Sequence, residues 1–219
     1  MTTVWYASVL PLQSEAVLSA WIKRLPQQRQ ERVQRLRSEE AKRLSVGAWA
    51  LLLEAYRTLG MDVSDWTPLE NPHGKPYFQE RTEFQFSLSH SGQCVLCALS
   101  DAPVGCDVER IRPFDKRVAN RFFSAEENRL LEQAEDKSEL FTRIWTCKES
   151  YVKAIGTGLS TPLSSFSADP TATPPTLKRS GDFKTDFSLV TAALYGEYRM
   201  AVCTKRPIRS VSELPLWDE

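Results

Sequence analysis

The sequence has no surplus charge of either sign: 28 Lys and Arg stand against 28 Asp and Glu in 219 residues. No overall field therefore draws the chain to nucleic acid or to a membrane surface. Long apolar runs are also missing. The longest, such as Ala48 to Leu53, are far too short to span a bilayer. Met1 to Leu12 has no cationic leader followed by an apolar core, so no signal peptide is expected. Cysteine is sparse, odd in number and scattered, at Cys94, Cys97, Cys106, Cys147 and Cys203. That usage argues against a disulfide framework and predicts a reduced, cytoplasmic setting. Cys94 and Cys97 match C-x-x-C, but residues three apart on a strand face opposite sides, and no second pair completes a zinc site. Core thiols are the expectation.

What is present reads as α+β. Thr3 to Leu10 is β-branched and aromatic and predicts a strand. Ser14 is placed to cap a helix to Leu25, Pro26 opens a second to Leu36, and Ser38 precedes a third ending at Gly60. NPHGKP (Asn71–Pro76) reads as loop. Phe84, Phe86 and Leu88 alternate with polar residues as in a half-buried strand, and Cys94 to Leu99 reads as a buried one. Asp101-Ala-Pro103 turns the chain into a strand from Val104 to Glu109 and marks the expected boundary between halves at 1–102 and 103–219. A short helix is predicted over Val118–Phe123. Ser124 and Glu127 fit a capping box, and a long helix is predicted from Ser138 or Glu139 to Gly156. Beyond Thr161 the chain reads as strands at Ser165–Ala168, Leu177–Arg179, Phe187–Ala193 and Tyr198–Thr204.

Four clusters of residues bear on chemistry. Asp107 and Glu109, two apart on a strand, leave by one face about 7 Å apart. They read either as acids on an exposed edge or as hard oxygen donors for a divalent ion. Glu149 and Lys153 share a helix face. Such a pair is commonly a surface ion pair contributing about 0.3–0.5 kcal/mol, yet Trp145 one turn earlier sets Glu149 beside an apolar wall. His90, between Ser89 and Ser91, either caps a turn or donates to an anion. A serine hydrolase built on Ser89 and His90 is disfavoured, since adjacent strand residues diverge and no G-x-S-x-G occurs. From Lys23 to Arg43 eight bases meet three acids, either as a solvated face or as an anion-binding flank. No aromatics interleave there, so stacking on nucleic acid is not expected.

In order, GKP (Gly74–Pro76), FSLSHSG (Phe86–Gly92), VGCDVE (Val104–Glu109), RFFSAEE (Arg121–Glu127) and WTCKESYVKAIGTGL (Trp145–Leu159) make the chain resemble the Sfp-type 4′-phosphopantetheinyl transferases. The resemblance implies two similar α+β halves with antiparallel sheets, related by a pseudo-twofold axis with coenzyme A between them. It implies a holo-carrier-protein synthase activity: the phosphopantetheine arm of coenzyme A passes to a serine of an apo acyl, polyketide or peptidyl carrier protein, releasing 3′,5′-ADP. It implies Mg²⁺ on Asp107, Glu109 and Glu149, with Glu149 also the general base. Lys153 would meet the pyrophosphate, Ser89 and His90 the 3′-phosphate end, Lys75 the nucleotide and Arg43 the adenylate phosphates. Of Ile111, Phe114, Val118, Phe122 and Phe123, some are expected to be core, Phe122 or Phe123 especially, and the others would form an apolar landing surface for the carrier, with Lys116 and Arg117 meeting its acidic helix. No nucleic-acid or membrane partner is expected, and a cleft complete within one chain implies a monomer.

Overall fold

The computed structural model of the chain describes residues 1–63, 66–81, 83–179 and 183–216. The last three residues of the expected second half lie outside the described residues. Strand β1 (Thr2–Ser8) is followed by helices α1 (Glu15–Arg24), α2 (Gln27–Gln34) and α3 (Glu39–Thr58). Ser38 caps α3 by accepting from the Ala41 N–H at 3.4 Å. A small hairpin, β2 (Pro68–Glu70) and β3 (Pro76–Phe78), leads into β4 (Gln85–Ser91), β5 (Cys94–Ser100) and β6 (Val104–Arg110). Then come α4 (Lys116–Phe122), α5 (Ala125–Gln133) and α6 (Lys137–Ile155). Strands β7 (Phe166–Asp169), β8 (Thr176–Arg179), β9 (Phe183–Lys184), β10 (Ser188–Leu194), β11 (Tyr198–Thr204) and β12 (Ile208–Glu213) follow.

The period-two alternation of the strands builds two sheets in face-to-face layers. One sheet runs β12-β1-β5-β4 and the other β10-β11-β6. Trp5, Val95, Cys97 and Leu99 turn outward onto α3, packing with Trp49, Leu52 and Tyr56. Their neighbours Val4, Cys94, Leu96 and Ala98 turn inward and meet Val104, Cys106, Val108, Met200 and Val202 of the second sheet. The far face of that sheet, through Ala201 and Cys203, carries Cys147, Tyr151 and Val152 of α6. The order of layers is α3, sheet, sheet, α6. Each half is thus an antiparallel sheet with one long helix on its outer face, apart from the parallel β1–β12 pair. All five cysteines are free and buried, with Cys94 and Cys97 in different cores as their spacing requires.

Three local departures from expectation have physical causes. Helix α6 starts at Lys137, because Asp136 takes the cap by accepting from the Glu139 N–H at 2.9 Å. Ser138, also a good capping residue, instead accepts from the Phe114 N–H. NPHGKP is the turn of a hairpin rather than a free loop, and runs directly into β3. The strand β12 crosses the expected division of the chain: it returns from the second half to extend the first sheet beside β1. Ile208–Glu213 is an edge strand whose residues are exposed or half-buried, so it carries little of the apolar alternation that betrays a strand.

Candidate active site

The acidic face of β6 is set by what its glycine permits. Gly105, Asp107 and Glu109 point to the α6 side, opposite to Cys106 and Val108. A Cβ on Gly105 would lie 2.0 Å from the Ser150 carbonyl oxygen and 2.3 Å from the Ala154 nitrogen. Only glycine lets the backbone of α6 lie on the strand. That close crossing brings Glu149 and Lys153, one turn apart on α6, over the two carboxylates.

Asp107 is buried. Its Oδ1 accepts from Lys153 Nζ at 2.6 Å and from Ser89 Oγ at 2.7 Å, and Lys153 also donates to Ser89 Oγ at 3.1 Å. Its Oδ2 is buried with no hydrogen-bond partner among the described residues. Glu109 accepts from Ser91 Oγ at 2.7 Å and meets Arg112 at 3.4 Å. Glu149 is half-buried and accepts no hydrogen bond among the described residues. Burial, then the charges of Asp107 and Glu109, push the Glu149 carboxyl above its ordinary value, with Lys153 opposing. Burial raises Glu109 as well. Burial alone would lower Lys153, but Asp107, Cys106 and Glu149 hold it above the ordinary lysine value.

Three carboxylates against Lys153 and the exposed Arg112 still leave the site short of positive charge, and a buried carboxylate oxygen without a partner is costly. The donors fit a hard divalent cation. Among the described residues, however, no three acidic side chains stand at metal-ligand spacing, and the Lys153 ammonium occupies Asp107.

These groups line a cleft of about 1020 Å³. Trp145, Phe122 and Leu163 form an apolar part of its wall, Trp145 standing one turn before Glu149 on α6. Trp145 is held by Phe122 at 5.7 Å edge-on and Phe141 at 6.2 Å stacked. His90 also lines the cleft, and the protein around its ring lowers its pKa below the ordinary histidine value. The ring is therefore neutral near pH 7. The opposite side of the sequence contributes Ser45, Ala48 and Trp49 of α3 with Arg29 and Arg32 of α2. Arg29 is 8% exposed, lies over the Trp49 ring at 4.1 Å and bonds Glu70 at 3.2 Å, while Arg32 pairs with the same carboxylate oxygen.

Two expected residues lie elsewhere. Arg43 borders a separate surface hollow with Leu10, Glu40 and Gln93. Ser45 faces the cleft, and a residue two positions away on a helix is turned by about 200°. The basic residues that the first half brings to the cleft are Arg29 and Arg32 instead. The signal in the sequence was Val33, four after Arg29: both are buried on one face of α2. Lys75 does not line the cleft either; its Nζ donates to the Val104 carbonyl at 2.9 Å, and burial pushes it down to about 8. The neighbouring Asn71 donates to the Gly156 carbonyl at 2.9 Å, so this turn clasps the end of α6.

Lys148, next to Glu149, faces away from the cleft. With no exposure, it donates to both oxygens of Glu127 at 2.6 and 2.7 Å and to the Phe166 carbonyl at 2.7 Å. Phe123 is core, whereas Phe114, Val118 and Phe122 are partly exposed. Lys116 and Arg117 are exposed, Arg117 being paired with Asp115.

Residues 103–203 match the family model described as the 4′-phosphopantetheinyl transferase superfamily. The chain is 30% identical over 184 residues to the 4′-phosphopantetheinyl transferase Sfp of Bacillus subtilis (strain 168), covering 83% of this chain and 82% of that protein. It is 41% identical over 137 residues to the 4′-phosphopantetheinyl transferase psf-1 of Bacillus pumilus, covering 62% of this chain and 59% of psf-1. Among solved structures, the holo-(acyl-carrier-protein) synthase of Bacillus anthracis in complex with CoA (3′,5′-ADP) aligns at 18% identity, over 47% of this chain and 94% of that one, with a TM-score of 0.38.

Proposed function

The chain belongs to the 4′-phosphopantetheinyl transferase superfamily, and on that premise we propose that it moves the 4′-phosphopantetheine arm of coenzyme A onto a serine of an apo carrier protein. The observation that carries this reading is one cleft lined both by a cluster of three acids with Lys153 and by the Arg29–Arg32 pair. A ligand with a diphosphate and a separate phosphate suits that combination.

The carrier serine oxygen attacks the phosphorus that bears the pantetheine. The bond from that phosphorus to the oxygen bridging it to the adenylate phosphate breaks, and 3′,5′-ADP leaves with the electron pair. Glu149 receives the serine proton. It accepts no other hydrogen bond among the described residues, so its carboxylate is free to take the proton. Lys153, freed from Asp107, donates to the departing phosphate oxygens and stabilises their charge. Asp107, Glu109 and Glu149 are the residues that would hold Mg²⁺. A bound magnesium ion supplies neutralisation of the diphosphate charge. Arg29 and Arg32 orient the nucleotide end by charge-assisted hydrogen bonds. Trp145 and Phe122 exclude water from one wall. The nucleophile belongs to the partner, so the chain needs none of its own. The carrier lands beside Ile111, Phe114 and Val118, with exposed Lys116 and Arg117 meeting acidic residues.

The test is incubation with coenzyme A, Mg²⁺ and an apo carrier, followed by the intact mass of the carrier. A gain of one phosphopantetheine, lost in Glu149→Gln and Asp107→Ala, is expected. Binding of coenzyme A without any gain would make the chain a binding module. Cleavage of coenzyme A with no carrier present would make it a hydrolytic enzyme.

A further inference from the structure

Strand β4 ends one sheet and β6 ends the other, yet their edges are joined by side chains rather than by a backbone ladder. Ser87, Ser89 and Ser91, alternating along β4, accept in turn from the Cys106 N–H at 3.0 Å, the Val108 N–H at 3.3 Å and the Arg110 N–H at 3.1 Å. Each hydroxyl stands where a backbone carbonyl would stand in a continuous sheet. A hydroxyl has two acceptor positions and one donor. With the N–H taken by an acceptor position, the hydrogen is left for the residue before it on β6. Ser89 gives that hydrogen to Asp107 Oδ1 and Ser91 gives it to Glu109 Oε2, both at 2.7 Å. Opposite Ser87 the corresponding residue is Gly105, which has no side chain to receive it.

We propose that this serine ladder is a positioning device for the acidic site, with Ser91 the positioning residue of Glu109. The β6 backbone fixes where each hydroxyl oxygen sits, and the hydroxyl then fixes one oxygen of the carboxylate. The other oxygen of Glu109, met only by the exposed Arg112 at 3.4 Å, is thereby held in a set direction at the cleft, as when a partner behind a metal-binding side chain orients it. Ser87 makes the same bond to the backbone but holds no carboxylate. It therefore separates sealing the seam from positioning the acid.

The inference rests on the reading of Glu109 as a divalent-ion ligand, and the experiment tests the two apart. Mn²⁺ is titrated into the free protein without coenzyme A, and unbound Mn²⁺ is read by its paramagnetic resonance. Ser91→Ala is expected to weaken binding on the order of 10-fold, while Ser91→Thr, which keeps the hydroxyl, restores it. Ser87→Ala, matched to Ser91→Ala in the lost backbone bond, is expected to lower the denaturation midpoint alike and to leave Mn²⁺ affinity unchanged. In a Glu109→Gln background Ser91→Ala should cost nothing further. Equal losses from Ser87→Ala and Ser91→Ala, or a Ser91→Ala loss of the same size in both backgrounds, would overturn the positioning role while leaving the ion site in place. Equal affinity in wild type and Glu109→Gln would remove Glu109 from the ion site, and the proposal with it.

Discussion

Replacing Gly105 by alanine adds one methyl group, and the structure puts that methyl in a place with no give. It would lie 2.0 Å from the Ser150 oxygen, 2.3 Å from the Ala154 nitrogen and 2.8 Å from the Lys153 carbonyl carbon. All three atoms belong to the backbone of α6, so no side-chain rotation relieves the overlap. Bringing the closest contact to an ordinary 3.4 Å requires α6 to retreat from β6 by about 1.4 Å. Overpacking of this kind costs about 1–3 kcal/mol, or a fall of about 2–12 °C in midpoint for a chain of this size. The effect on chemistry is larger. The 2.6 Å bond from Lys153 to Asp107 cannot survive such a shift, and Glu149 moves with it. A misplacement near 1 Å in an active site costs on the order of 10²-fold in rate. Gly60 provides the control: its φ of +73° makes alanine unfavourable, but a Cβ there meets nothing within 4 Å. Gly60→Ala should lose about 1–2 kcal/mol and keep full activity. The assay is carrier loading by mass spectrometry, with urea denaturation of the same preparations. Gly105→Ala working within twofold of wild type would show that the α6–β6 crossing does not set the site, and the geometry argued above would fail.

Arg29→Ala should raise the KM for coenzyme A about 10-fold or more with a smaller fall in kcat, since a charge-assisted hydrogen bond contributes about 1.5–3 kcal/mol; steady-state kinetics over a range of coenzyme A checks it. Lys148→Met leaves Glu127 charged in the core without its counter-ion, held only by the Ser124 and Ala168 N–H groups, so urea denaturation should show a loss of about 3–5 kcal/mol. Lys75 titrates at about 8 when folded and 10.5 when unfolded. Below about pH 8 it is protonated in both states, and the folded state bears the cost of burying the ammonium. Between about 8 and 10.5 only the unfolded chain holds the proton, so the stability of the wild type should rise relative to Lys75→Met across that window. Parallel denaturation curves at several pH values in that range decide it; a constant difference would remove Lys75 from the account.

The parts of the site that were legible follow from two periodicities. Period two put Asp107 and Glu109 on one face of β6, and the i,i+4 spacing put Glu149 and Lys153 on one face of α6. Neither shows that the faces meet. That information sits in Gly105, which reads as a neutral strand residue until α6 is laid on it. Arg43 and Lys75 show the opposite failure: a basic residue near the right place says nothing about direction, and here one turns with its helix and the other bonds Val104. The serines of FSLSHSG offered a nucleophile by type, but alternation sends Ser89 to Asp107 and leaves His90 beside it on the other face. Strand β12 was illegible because an edge strand needs only backbone bonds to a neighbour, and those leave no pattern in side chains.

The excess of negative charge where Asp107, Glu109 and Glu149 cluster separates function from stability at one residue. Glu149 sits in a helix that would fold without it, accepts no hydrogen bond among the described residues, and is repelled by Asp107 and Glu109. Its carboxyl is raised above its ordinary value, so the folded state binds its proton more tightly than the unfolded chain does. Ionised Glu149 therefore opposes folding at neutral pH. The opposition fades as pH falls and the folded state takes up the proton, and it is gone below the unfolded pKa, where both states are protonated. Glu149→Gln removes that repulsion and keeps a side chain of the same size and shape. The variant should unfold at a higher urea concentration than wild type at pH 7, with the difference shrinking toward pH 4, while carrier loading is lost. A residue kept for structure would show the reverse, since its removal lowers stability. Should Glu149→Gln unfold earlier than wild type at pH 7, Glu149 would be a structural partner of Lys153, and the site would have to be rebuilt around Asp107 and Glu109 alone.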